Sequence, residues 1–190
     1  MAPAPSARSG LACMRLMSIK GDLRVTAAAA GRASEEDRTA KFRALAARAV
    51  DSNVNEKTLL ATDYLNHINE IVMLLDLVPD APECLEDCKA WHPLSYQDHF
   101  RQSHVADRDL AIEAYDYSPP AFKEPFERLV GEMNRLVALS TERLAAALES
   151  GDAVMIHTIA TTASRNLQDL IGQAGAVILG RTNTPAFSFR

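Results

Sequence analysis

The stretch DYLNHINEIVMLLDLVPD, Asp63 to Asp80, decides how this chain is read. Its apolar residues Tyr64, Ile68, Ile71, Val72 and Leu75 recur at intervals of three and four, the period of one helical face. A half-buried strand would alternate at every second residue, and this segment does not. Pro79 closes it, because proline lacks the amide hydrogen that a helix interior needs. With Leu60 on the same stripe, the pattern predicts a helix from about Val54 to Val78.

The same period extends in both directions. Upstream, Ser34 followed by Glu35, Glu36 and Asp37 gives an N-cap with acids in the first turn, where the helix dipole is positive. That helix is expected to reach Val50, with Phe42, Leu45, Ala46 and Ala49 inward, and Asp51-Ser52-Asn53 breaks it. Downstream, Pro82 can open a short helix, ECLEDCKAW, that must stop by His92 because a residue before proline avoids helical geometry. Ser95 with Asp98 has the spacing of a capping box and opens a helix to about Tyr117, with Tyr96, Phe100, His104, Ala111, Ala114 and Tyr115 inward. Ser118-Pro119-Pro120 stops the chain and restarts it as a helix to about Glu149, striped by Phe126, Leu129, Val130, Met133, Leu136, Val137, Leu144 and Leu148. Gly151 ends that helix and Asp152 caps the next, which carries Ile156, Ala160, Ala163, Leu167, Ile171, Ala174 and Ile178 inward before Gly180. No strand pair with hairpin chemistry and no internal repeat occurs. The expected fold is all-α: an antiparallel bundle of four long helices with one or two short additional ones.

A chain of 190 residues suffices for one domain with a real core. Residues 1–33 hold five basic groups and one acid, so they are read as a disordered basic leader, with 34–180 as the bundle and 181–190 as a flexible tail. LACMRLM is interrupted by Arg15 and is too short for a secretory core. Cys13, Cys84 and Cys88 make an odd set, which reads as free thiols in a reducing cytoplasm. A net charge of -5, with no helix bearing a basic face, argues against nucleic acid, and no membrane span is expected.

The opening stretch also carries the chemistry. On a helix Asp63, His67 and Glu70 fall on one flank, and Glu56 extends the ridge. His104 and Asp107 repeat a histidine and a carboxylate three apart on the fourth helix, beside Phe100 and Ala111. Facing helices that each present imidazole and carboxylate inward assemble metal sites in bundles, and such a donor set suits iron, manganese or zinc. Asp63, His67, Glu70, His104 and Asp107 are therefore the candidate ligands, with a small oxidoreductase or hydrolase as the corresponding activity. The bland alternative is a hydrogen-bonded structural histidine with an acid one turn away. Cys84, Cys88 and His92 lie four apart, but zinc turns favour C-x2-C; Trp91 reads as an anchor for the short helix. The chain contains no phosphate-binding glycine loop and no nucleophile elbow.

ATDYLNHINEIVMLLDL, 17 of the 190 residues, resembles the phospho-accepting helix of sporulation-type and citrate-sensor histidine kinases. In that family an arginine and the phosphorylated histidine precede Asp-Tyr-Leu-Asn-His and an aliphatic run. Thr62 stands at the acceptor position, so the resemblance implies a regulatory relative of the phosphotransfer hairpins without phosphotransfer in its usual form. The sequence thus leads to a cytoplasmic helical protein that acts through a protein partner or as a homo-oligomer, without catalysis of its own. A metal-binding bundle is the alternative, and the phosphotransfer relative ranks below it.

Overall fold

A computed structural model describes residues 35–181; the expected leader at 1–33, the Ser34 cap and the tail beyond Arg181 lie outside the described residues. The described residues fall into two units, 35–41 and 42–181. In the first, residues 35–41 are helical, and Thr39 Oγ1 donates to Glu35 O at 2.8 Å.

The second unit is all-α. It comprises α1 (residues 42–49), a 3-10 turn at Thr62–Tyr64, α2 (Leu65–Leu77), α3 (Cys84–Ala90), α4 (Tyr96–Gln102), α5 (Arg108–Tyr115), α6 (Pro120–Ser150) and α7 (Ala153–Ile178). The described residues form no strand, only an isolated antiparallel bridge between Val54 and Ala61. None of the described helices is long and apolar enough to cross a membrane.

The frame is the hairpin of α6 and α7. The buried residues Met133, Val137, Ser140, Leu144 and Ala147 of α6 alternate steps of four and three, the spacing of a coiled-coil seam. Ile156, Ala160, Ala163, Leu167 and Leu170 on α7 do the same. Gly151, at φ 69°, turns the chain between them in the left-handed region that suits glycine, and Asp152 Oδ1 accepts from Met155 N at 2.9 Å to start α7. α2 lies antiparallel along α7. Leu65 Cδ1 is 3.8 Å from where a Cβ would sit on Gly175, and at the other end Ser164 Oγ donates to Asp76 Oδ2 at 2.9 Å.

The structure corrects two expected helices. Residues 54–61 are not helical, so α2 starts eleven residues later than its stripe suggests. Here polar side chains take the backbone's partners: Asn55 Oδ1 accepts from the amides of Lys57 (3.0 Å) and Thr58 (3.1 Å). Thr58, fully buried, donates its hydroxyl to Ile178 O at 2.6 Å and accepts from Leu60 N at 3.3 Å, while Ser118 Oγ donates to Thr58 O at 2.6 Å. Leu59 is held at φ 56°, a left-handed conformation unfavourable to a branched side chain, with its side chain fully buried. Leu60 reaches the core from this loop. Glu56 therefore shares no helical ridge with Asp63.

The expected fourth helix is split at Ser103–Asp107 into α4 and α5. Ser103 Oγ turns back to Phe100 O at 3.0 Å, and Asp107 Oδ2 accepts from Asn53 N at 3.2 Å. Instead of four long helices, the described residues contain two, α6 with 31 residues and α7 with 26, overlaid by shorter ones.

Candidate functional site

The densest chemistry lies where the 3-10 turn and the start of α2 meet the Trp91–Ser95 segment and α4. Tyr64, with its ring buried, donates to Leu94 O at 2.9 Å, and Tyr96 accepts from Ala61 N at 2.8 Å. Each ring thus pins a neighbouring backbone. Tyr96 stacks on Tyr115 at 4.4 Å between centroids, and Phe126 from α6 meets Tyr64 and Tyr96 edge-on. Burial pushes the Tyr64 phenol up to about 12. It raises Tyr96 further, even though the Ala61 amide opposes the shift. Tyr115 is raised by burial first and then by Glu127, whose carboxylate accepts its hydroxyl at 2.8 Å. These phenols stay protonated at neutral pH; Tyr64 and Tyr115 donate, Tyr96 accepts, and all three serve as packing surfaces.

His67 sits beside this cluster, 7% exposed. Its Nε2 is 3.0 Å from His92 O, and since a carbonyl only accepts, the neutral ring carries its proton on Nε2. In return Trp91 Nε1 donates to His67 O at 3.3 Å, and the two rings stack at 4.6 Å with planes 20° apart. This reciprocal lock ties the segment after α3 to α2. Nδ1 is left as an acceptor 3.7 Å from Glu70 Oε2, so a second proton there would complete an ion pair with an exposed carboxylate.

His99 of α4 approaches from the other side, its ring 6.0 Å from that of His67 and edge-on to Tyr64 at 5.6 Å. Burial, and then the proximity of His67, hold the His99 imidazole below its ordinary value, against the pull of its hydrogen bond to the Asp63 backbone. Next to it, Asp98 is lowered by the Ser95 hydroxyl and by Arg101. On α3, burial pushes the Cys88 thiol up to about 11, with Cys84 and Asp87 adding to it, which makes it an inert packing thiol.

The five ligand candidates are not brought to one point. The exposed Glu70 lies beside His67, as their helical spacing requires, whereas Asp63, half-buried, sits in the 3-10 turn with its backbone bonded to His99. His104 is exposed in the segment between α4 and α5, contrary to its expected inward position, and Asp107 is turned to the Asn53 amide. Among the described residues no group of three or more histidine, cysteine or carboxylate side chains stands where it could hold one ion. The correction has a local cause. Once the helix breaks at Ser103, the register that put His104 behind Phe100 no longer applies, and His99, between Tyr96 and Phe100 on α4, is the imidazole that faces α2.

Two participants were missed by the helical reading, His99 and the role of Trp91 as a stacking partner. Ser103 and Asp107, both residues that terminate or cap helices, were the signal for the break. Compared with protein-family models, with curated proteins and with solved structures, the chain matches none.

Proposed function

We propose that the protein works by binding another protein through its helical surface, without chemistry of its own. The observation that carries this reading is the solvent side of α2, where Met73 is 66% and Leu77 48% exposed, one helical turn apart. Large apolar side chains left in water at helical spacing are what a partner helix or groove covers. Val154 and Met155 in the first turn of α7 add a second exposed apolar pair. The imidazoles, by contrast, are spent on structure: His67 on its lock with Trp91 and His92, and His99 on Tyr64 and the Asp63 backbone.

A photo-crosslinking amino acid placed at Met73, and in parallel at the exposed Asp109, tests the reading in cells that produce the protein. A discrete protein adduct is expected from position 73 and none from position 109. Equal, diffuse labelling from both, or no adduct from 73, would sink it.

A further inference from the structure

On α2 the exposed residues Asn66, Asn69, Glu70, Met73, Asp76 and Leu77 follow one another by steps of three, one, three, three and one, which places them on a single side of the helix. That side has a marked electrostatic character. From Thr58 to Cys88 the chain contains no lysine or arginine. Besides Glu70 and Asp76, the exposed carboxylates of this layer are Asp80, Glu83, Glu86 and Asp87. The first base that follows, Lys89, is engaged by Glu86 at 2.8 Å. An apolar pair one turn apart is therefore flanked by carboxylates along its own helix and is followed in the chain by further exposed acids.

Resting on the association reading above, we infer that the outer side of α2 is a docking surface for a basic amphipathic helix of a partner protein. Met73 and Leu77 would meet aliphatic side chains spaced three and four apart on that helix, and the surrounding carboxylates its lysines and arginines. The 13 residues of α2 span about 20 Å, which matches three to four turns of a partner. The charge selects among occupants. A second copy would bring the same carboxylates face to face, and an anionic lipid surface or nucleic acid would be repelled.

The test uses the full chain and two labelled 14-residue peptides, one of leucine and lysine and one of leucine and glutamate, each with leucines spaced three and four apart. Fluorescence anisotropy is expected to show saturable binding of the leucine–lysine peptide alone, weakened about tenfold between 50 and 300 mM salt. Met73→Ser with Leu77→Ser, which leaves the charge unchanged, should weaken it about tenfold more, and circular dichroism checks that the variant stays folded. Asp80→Lys with Glu83→Lys should shift the preference toward the leucine–glutamate peptide. Unchanged affinity in the serine variant overturns the inference, because attraction would then be to net charge and not to this surface. A concentration-dependent dimer abolished by Met73→Lys also overturns it, by making a second copy the occupant. If the basic peptide fails while the crosslinker at position 73 still captures a protein, the basic partner is wrong and the association reading stands; if both fail, both fall.

Discussion

Replacing Thr58 by valine probes the loop that joins the two ends of the second unit. The two side chains have nearly the same shape, so the substitution removes the hydroxyl and leaves the volume. In the fully buried wild-type residue that hydroxyl donates to Ile178 O at 2.6 Å and accepts from Leu60 N at 3.3 Å. Ile178 is the last residue of α7, where carbonyls have run out of helical partners, and its side chain is 1% exposed. Valine would leave one buried carbonyl and one buried amide unpaired. Each such group costs about 1–3 kcal/mol, and the extra methyl recovers some of it, so a net loss of about 2–4 kcal/mol is expected. At about 2–4 °C per kcal/mol for a chain of this size, Tm should fall by about 4–16 °C. Urea unfolding followed by circular dichroism gives the free energy, and the single tryptophan, Trp91, gives an independent fluorescence transition. Thr58→Ser keeps the hydroxyl and should lose no more than about 1 kcal/mol. A valine variant within about 0.5 kcal/mol of wild type would refute the claim that this hydroxyl holds the loop to α7.

Three further outcomes follow from the seam around His67. His67→Ala removes both the stack on Trp91 and the bond to His92 O and should cost about 2–4 kcal/mol in urea unfolding, whereas His104→Ala on the exposed segment should stay within about 0.5 kcal/mol; equal effects would contradict the placement of the two rings. His99 is depressed in the folded state, so the unfolded chain binds more protons as pH falls below about 6.5. Stability should therefore drop with acid through that window, and His99→Gln should flatten the drop between pH 7.5 and 5.5; a slope unchanged by the substitution would assign the acid sensitivity elsewhere. Tyr64→Phe deletes the donor to Leu94 O and should cost about 1 kcal/mol while making Trp91 more accessible to iodide quenching; quenching as in wild type would show that the segment after α3 is held without it.

Much of the site region is legible in the sequence, and the exceptions share a cause. Tyr64, Ile68, Ile71, Val72 and Leu75 are buried as their spacing requires, and Glu70 lies beside His67 because three residues make nearly one turn. His67 is hydrogen-bonded, but its partner is a backbone carbonyl 25 positions away, which no helical spacing encodes. The choice between His99 and His104 turned on whether five residues, Ser103 to Asp107, continue a helix. Apolar periodicity alone favoured continuation, and the contact of Asp107 with Asn53, 54 positions away, stands at the break.

By itself the sequence determined the all-α class, the stops at Gly151 and Gly180, the caps at Ser95 and Asp152, and the short helix before Pro93. These depend on capping, periodicity and proline sterics, free energies settled among residues a turn or two apart. Only the tertiary structure decided that 54–61 is a loop, that Leu59 is held at positive φ, and that His99 and not His104 meets His67. Those outcomes depend on partners distant in sequence, such as Thr58 and Ile178 across 120 positions, where buried hydrogen bonds outweigh a local helical preference of a few tenths of a kcal/mol per residue.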